Sequence, residues 1–348
     1  GTDRTGLNPL GNDGAGIGQS SSSTNTIGGS TVEARNVISA NGGPGIAVSS
    51  GAAVIRGNYI GTDKDGTGDL GNTAAGVLVA TGTATVGGAV SEEGNLIAYN
   101  ATGVAVTGSS ANIGRNSIHS NDGLGIDLLS DGLTINDDGD IDTGPNDVLN
   151  FPVLDTADID GANTDLAGWT RLGTVIEVFV ADSDPGNFGE GQTWKITLTE
   201  SGSGAGGDDP YADVDSLASS YGPGPVNGLA QGQDTTSRFR FIFPTPAGIT
   251  PGVRLTATAR NSSKTSEFSG IVTAATGTIV PPGGNVISGT VFDDVDFVGT
   301  PSGYQGGDAP LPSVEVELYD ATDTHVQSVS TSATGAYTFY PPASGTYK

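Results

Sequence analysis

The chain contains no cysteine and no methionine. Disulfide frameworks and thiolate chemistry are therefore excluded, and both oxidisable sulfur side chains are missing, which suits a protein that works outside a cell. Basic residues are scarce: 13 Lys and Arg stand against 39 Asp and Glu, for a formal net charge of −26. That balance disfavours nucleic acid or an anionic membrane surface as a partner and suits solubility, cation binding and mutual repulsion. No run approaches the roughly 18 apolar residues that span a bilayer. There is no initiator Met and no signal peptide, and the chain opens inside a repeat, so the sequence is expected to be a processed or truncated part of something longer. Glycine, by contrast, is abundant, with 57 residues beside 18 prolines. Without a strict triplet period this excludes collagen and points to turn-rich β structure, in two or three domains for 348 residues.

Internal similarity sets the architecture. Gly1-Thr2-Asp3-Arg4 to Leu10-Gly11-Asn12 recurs as Gly61-Thr62-Asp63-Lys64 to Leu70-Gly71-Asn72, an offset of 60 residues. Ile27-Gly28-Gly29 and Asn36-Val37-Ile38 recur at Val86-Gly87-Gly88 and Asn95-Leu96-Ile97, an offset of 59. Within this lies a shorter unit, a glycine followed by alternating apolar residues, at Gly45, Gly76, Gly103 and Gly125, with Gly16-Ile17 as a fainter copy. Each coil holds three short segments such as Ile46-Val48, Val54-Ile55 and Tyr59-Ile60. Strands this short bury an apolar face only by stacking on their equivalents one coil away. Asn recurs at the corners: Asn36, Asn58, Asn95 and Asn116, then Asn41, Asn100 and Asn121. Asn tolerates the left-handed corner conformation, and stacked amides bond along the axis. The absence of a 3.6-residue period excludes a helical solenoid, and the spacing does not supply propeller blades.

These features resemble large bacterial secreted proteins with right-handed parallel β-helix repeats. The matching text is Gly57-Asn58-Tyr59-Ile60-Gly61-Thr62-Asp63, Gly125-Ile126-Asp127-Leu128, Asn136 to Asp140, Thr143 to Asn146 and Asn150-Phe151-Pro152-Val153-Leu154. The resemblance covers residues 1–154 and implies architecture and secretion, not an activity.

From Ala167 the pattern lengthens. Val175 to Val180, Thr193 to Leu198, Phe239 to Phe243 and Arg254 to Ala259 read as strands of an Ig-like antiparallel sandwich over 155–277, ending near Ile271. Phe188 to Gln192 and Thr265 to Ser269 are similar to the sandwich that follows the β-helix in the same bacterial proteins. Residues 201–236, rich in Gly, Ser and Asp, read as a long functional or mobile insertion with Tyr211 and Tyr221. A stiff linker at 278–284 leads to a third unit at 285–348, opened by Ile287 to Asp294 and continued by Pro312 to Asp320 and Gly335 to Phe339. That unit resembles the prealbumin-like B domains of Gram-positive surface adhesins, which act as stalk segments, some with calcium or a Lys–Asn isopeptide crosslink. The last lysine after Lys264 is Lys348, so the crosslink is not expected. The unit is expected to be truncated, since it stops at Thr346-Tyr347-Lys348, where a further strand should follow.

The acidic run Asn136, Asp137, Asp138, Asp140, Asp142, with Asn146 and Asp147, places oxygen ligands at alternate positions around Gly139, a pattern suited to Ca²⁺. It lacks the closing glutamate of an EF-hand, and a solvated acidic turn is the plain alternative. Asp293, Asp294, Asp296 and Asp308 form a second cation candidate, with Val298 where a third ligand is usual. Asp182, Asp184 and Glu190 form a weaker one. Asp3, Asp63, Asp127 and Asp131 could supply a glycosidase pair, but no basic residue of the coils (Arg4, Arg35, Arg56, Lys64, Arg115, His119) sits in a lyase-like acidic motif. His119 reads as a polar coil position and His325 as solvent-exposed. No Ser–His–Asp grouping, GxSxG elbow, P-loop or zinc spacing occurs.

The resulting expectation is an all-β chain: a short parallel β-helix followed by two β-sandwiches, making a non-enzymatic structural or adhesive module. Its place is extracellular or on a bacterial cell surface, as a fibre or surface-layer subunit stiffened by Ca²⁺. The expected partners are further copies of itself, other surface proteins or polysaccharide. The alternative is a carbohydrate-active or carbohydrate-binding protein, disfavoured because Tyr59 and Tyr99 are the sole aromatics of the coils before Phe151.

Overall fold

A computed structural model describes residues 1–182, 187–200, 217–279, 287–293, 309–312, 314–319, 321–323, 325–331, 335–339 and 346–348. The chain is all-β and divides into two compact units, Gly1–Ile279 and Val280–Lys348. The linker expected at 278–284 lies mostly outside the described residues.

The first 128 residues wind through three parallel sheets, one short strand of each per round. Strands β1 (Ile17–Gln19), β2 (Thr24–Gly28) and β3 (Val37–Ile38) make the first round. The second holds β4 (Ile46–Val48), β5 (Ala52–Arg56) and β6 (Tyr59–Ile60), and the third β7 (Ala75–Val79), β8 (Thr83–Gly87) and β9 (Leu96–Ala98). The fourth comprises β10 (Thr102–Val106), β11 (Ala111–Gly114) and β12 (Ser117–His119), and β13 (Ile126–Leu128) opens a fifth. The sheet orders are β1-β4-β7-β10-β13, β11-β8-β5-β2 and β12-β9-β6-β3. Ile17, Ile46, Val77, Val104 and Ile126 stand in register across the first sheet, each directly following a glycine of the short sequence unit. Inward positions are filled by small branched side chains, among them Ile46, Ile55, Ile60, Val77, Val86 and Ile97, none of them exposed. Burying each is worth roughly 1.5–3 kcal/mol over leaving it in water.

The corners differ from the expectation in one respect. At five of the seven corners the left-handed conformation falls on the residue before the asparagine, at Ala40, Gly57, Tyr99, Arg115 and Ser120, while Arg35 and Gly94, before Asn36 and Asn95, are extended. The asparagines themselves serve as ladder rungs, described below. At Gly61 (φ +91°) and Gly87 (φ +89°) a side chain would meet the carbonyl oxygen of the next round, at 1.9 Å from Ala98 and 2.0 Å from Gly114. Only glycine allows rounds to stack this closely.

A sandwich-like pair of sheets follows, built from β14 (Val153–Ile159), β15 (Asn163–Thr170), β16 (Val175–Ala181), β17 (Gly191–Thr199), β18 (Leu217–Tyr221), β19 (Asp234–Pro244), β20 (Arg254–Asn261), β21 (Lys264–Thr265), β22 (Val272–Thr273) and β23 (Ala275–Thr276). One sheet runs β18-β19-β15-β14-β23; the other runs β17-β16-β20-β21, with β22 also on β20. Leu154, Leu166, Ile176, Phe239, Phe241 and Leu255 fill the space between them. The pairing extends past Ile271 through β22 and β23. Two strands, β14 and β15, precede the segment where the pattern reading began, because Asp165 and Gly168 interrupt their apolar alternation. Asp165 is paired to Arg240 across the sheet at 2.5 Å, and Gly168 lies against the backbone of Val153. Within the expected insertion β18 pairs with β19, while Tyr211 lies outside the described residues.

The wound segment and the sandwich share a core. Phe179 of β16 and Phe268 belong to the same apolar cluster as Ile113, Ile118 and Ile126, and their rings meet edge to face at 5.5 Å. In the second unit, β24 (Ile287–Thr290), β25 (Phe292–Asp293), β26 (Ala309–Pro310), β27 (Glu315–Tyr319), β28 (His325–Ser330) and β29 (Ala336–Phe339) form antiparallel pairs. Lys348 exchanges two backbone hydrogen bonds with Tyr319, and its amine meets Asp323 at 2.7 Å.

Because Phe268 sits where the two cores meet, Phe268→Ala is expected to cost about 3–5 kcal/mol. In urea unfolding followed by far-UV circular dichroism, the loss should appear in the wound segment and the sandwich together.

Candidate functional site

Parallel sheets leave one row of amide donors and acceptors open at each end of the stack, and these groups need partners. Two lines of asparagine carry this demand along the molecule. Asn12, Asn41, Asn72, Asn100 and Asn121 form the first line. Each donates its backbone N–H and its Nδ2 to the Oδ1 of the next, at 2.7–3.2 Å. Asn36, Asn58, Asn95 and Asn116 form the second, at 2.8–3.2 Å. Both lines are polar, with donors pointing downstream and Oδ1 pointing upstream. Asn12 and Asn72 were missing from the corner set read off the sequence, although Gly11-Asn12 and Gly71-Asn72 close the two copies of its longest duplicated unit.

The downstream end therefore needs acceptors, and the sandwich supplies them as carboxylates. Glu190 ends the first line, its Oε2 and Oε1 accepting the backbone N and Nδ2 of Asn121 at 3.0 and 2.7 Å. Glu177 of β16 accepts the Arg115 amide at 2.9 Å, beside the end of the second line, and Asp182 accepts the Ser120 amide at 2.9 Å. Glu267 accepts the amides of Leu128 and Thr134, both at 2.9 Å. Thr265 accepts from Ile113 N and donates to Ile113 O. Asn146, from the acidic run, accepts from Ala111 N and donates to Ala111 O. Glu177, Glu190, Glu267 and Asp182 are all buried. Asp182 and Glu190, read from sequence as a surface loop or weak cation site, thus belong to this cap. Asp184 lies outside the described residues. Nothing local in the sequence signals these pairings, which join positions 35 to 152 residues apart.

Burial sets the electrostatics of the cap. It pushes Glu267 up to about 8, against the Leu128 and Thr134 amides and with help from Asp127 and Asp131. It also raises Glu177, against the Arg115 amide and the charges of Arg260 and Arg115. Asp127 is raised by burial, and its Oδ1 has no hydrogen-bond partner. His119, half-buried beside Asp182, is lowered by burial.

The acidic run 136–147 does not gather into one cage. Asn136 is fully engaged: Nδ2 donates to Phe151 O and the Tyr221 hydroxyl, and Oδ1 accepts from Phe151 N. Asp140 accepts from Asn150 N at 2.9 Å and lies 3.8 Å from Arg171, whose guanidinium also binds Asp234 at 2.8 Å. The counter-charge of this centre is thus the half-buried Arg171. Asp138 is exposed and accepts from Thr235 N, Asp142 is exposed, and Asp147 pairs with Lys264. In the second candidate Asp293 is exposed in β25, while Asp294, Asp296 and Asp308 lie outside the described residues. Among the described residues no three acidic or histidine side chains are placed to hold a metal ion.

Asp3 and Asp63 organise their own loops. Asp3 accepts from the Thr5 hydroxyl and the Asn8 amide, while Asp63 accepts from the Asp65 and Thr67 amides. An open cleft of about 460 Å³ in the sandwich is lined by Asp155, Asp158, Asn187, Asn227 and Arg254, with no aromatic among its described lining residues. No family model matches the chain, and no curated protein matches it.

Replacing Glu190 by Gln removes one of two buried acceptors, so E190Q should cost about 1–3 kcal/mol in denaturant unfolding. Glu267 has its folded value raised above the unfolded carboxyl. Its stabilising contribution is therefore complete below about 4.5 and declines as pH climbs through about 8. Melting temperature should fall from pH 7 to pH 9, above the range in which His119 titrates, and E267Q should flatten that slope.

Proposed function

We propose that the chain is a right-handed parallel β-helix closed at one end by an Ig-like sandwich, with a prealbumin-like unit after it. In this reading it serves as a non-catalytic structural or adhesive module of an extracellular or cell-surface bacterial protein. The observation that carries the proposal is the carboxylate cap. Polar side chains at the helix end, where an active site would need unsatisfied groups aimed at a substrate, are instead consumed in closing sheet edges. The rigid product, fused by Phe179, Phe268 and four buried acids, suits a load-bearing piece.

Acidity fits the same reading, since a net charge of −26 repels like chains and attracts cations. Calcium enters as a ligand of exposed acid loops such as Asp138 and Asp142, separate from the Arg171 centre. The polysaccharide-active alternative would draw on the Asp155–Asp158 cleft, whose described lining offers no ring for a sugar to stack on.

Two measurements test this. Incubation with acidic and neutral polysaccharides should release no new reducing ends or unsaturated products, and turnover would overturn the structural reading. Differential scanning calorimetry should show one transition for the wound segment and sandwich together, rising by a few degrees in millimolar CaCl₂ relative to EDTA. The triple variant E177Q/E190Q/E267Q should split that transition in two.

A further inference from the structure

The carboxylates of the cap are not all used alike. Glu190 and Glu267 each set both oxygens on donors of the coils, whereas Glu177 uses only Oε2, on the Arg115 amide. Glu177 is 3 % exposed, and among the described residues no hydrogen-bond donor reaches its Oε1. A buried acceptor left without a donor is costly, so this oxygen marks a place where one is wanted. Gly114 keeps the approach open: a Cβ there would stand 3.3 Å from Oε1.

Strand register shows what surrounds that oxygen. Between β16 and β20, Val175 pairs with Arg260, Glu177 with Thr258 and Phe179 with Thr256. Side chains alternate along a strand, so Glu177, Phe179 and Arg260 share one face of the sheet. Phe179 packs in the core of the wound segment, which turns that face to the coils. On the coil side, Thr85 of β8 and Asn112 of β11 are register partners. Their neighbours Ala84, Val86, Ala111 and Ile113 are buried, so Thr85 and Asn112 point outward. With Arg115 these groups line an open cavity of about 220 Å³ between the coils and the sandwich. Arg115 is held in place, its guanidinium 4.4 Å over the Trp194 ring and bonded to the Ala89 carbonyl oxygen. The side chains of Thr85, Asn112 and Arg260 have no hydrogen-bond or ion-pair partner among the described residues, and the Arg260 Nε is buried without one.

The chemistry of the lining selects the occupant. Two guanidinium groups against one carboxylate make this corner locally cationic in a chain of net charge −26, which calls for an anionic group. The planar fork of arginine fits a carboxylate with two parallel hydrogen bonds. A bare carboxylate would leave Oε1, Asn112 and Thr85 unanswered. Neutral hydroxyls answer all three, since each donates and accepts. We propose that this cavity is a binding site for an acidic sugar, a uronic acid unit. Its carboxylate would sit on Arg260 and its hydroxyls on Glu177 Oε1, Asn112 and Thr85. No aromatic ring is among the described lining residues, so recognition here runs on charge and hydrogen bonds rather than on stacking. The proposal concerns binding without turnover and does not depend on the load-bearing reading above.

The test is isothermal titration calorimetry of the full chain with sodium glucuronate at physiological salt. One saturable site is expected, with a Kd on the order of 1 mM for a ligand of this size. Acetate, which lacks the hydroxyls, and glucose, which lacks the carboxylate, should each bind at least about tenfold more weakly. R260Q removes the charged fork and should weaken glucuronate about tenfold. N112D sets a second carboxylate on the outer face of β11, against the ligand's own, and should weaken it by a similar factor. That variant leaves Arg260 and the cap untouched, so it decides the matter where R260Q does not fold. Acetate binding as tightly as glucuronate would show a site that reads charge alone. Serine binding more tightly than glucuronate would assign the cavity to an amino acid. Either result overturns the proposal, as does a lack of saturation well above the expected Kd, or glucuronate binding unchanged in N112D.

Discussion

The direction of the hydrogen bonds along the asparagine lines is the constraint from which the rest follows. Each corner amide gives two donors forward and takes them on one oxygen from behind, so no round is satisfied alone. A buried donor left without a partner costs about 1–3 kcal/mol, and the last round exposes several. The stack must end on acceptors. Carboxylates are the strongest acceptors available to a side chain, having two oxygens and no donor of their own when ionised. The sandwich is placed to deliver them.

This explains why two domains read as separate in the sequence behave as one compact unit. A change of strand length and pairing falls near residue 154, with β14 starting at Val153. It is not a boundary in packing, because Phe179 and Phe268 complete the core of the wound segment and the cap closes its edge. The cost of the arrangement is buried negative charge without an equal number of cations. The same burial, with Asp127 and Asp131 nearby, raises Glu267 well above the usual carboxylate range.

Periodic features were legible in advance and pairwise long-range ones were not. Gly45-Ile46 and its relatives announced the strands of the first sheet, since apolar alternation after a glycine is a local signal. The corner asparagines were also visible, but their chemistry was half misread. The left-handed strain sits one residue earlier, at Ala40 or Tyr99, and frees the amide for the ladder. Glu177, Glu190 and Glu267 look like ordinary polar positions on sandwich strands and loops. Their role exists only once residues more than 60 apart are brought together. In the acidic run the oxygens were legible but not all of their partners: the guanidinium of Arg171, 31 residues beyond Asp140, lies 3.8 Å from that carboxylate.

Native-state hydrogen exchange at the capped amides tests the central claim most directly. If the carboxylates close the stack, Arg115, Ser120, Asn121 and Leu128 should exchange as slowly as interior amides such as Ala98 and Val104. Exchange at those four positions at rates typical of an open sheet edge, with the interior still protected, would contradict it.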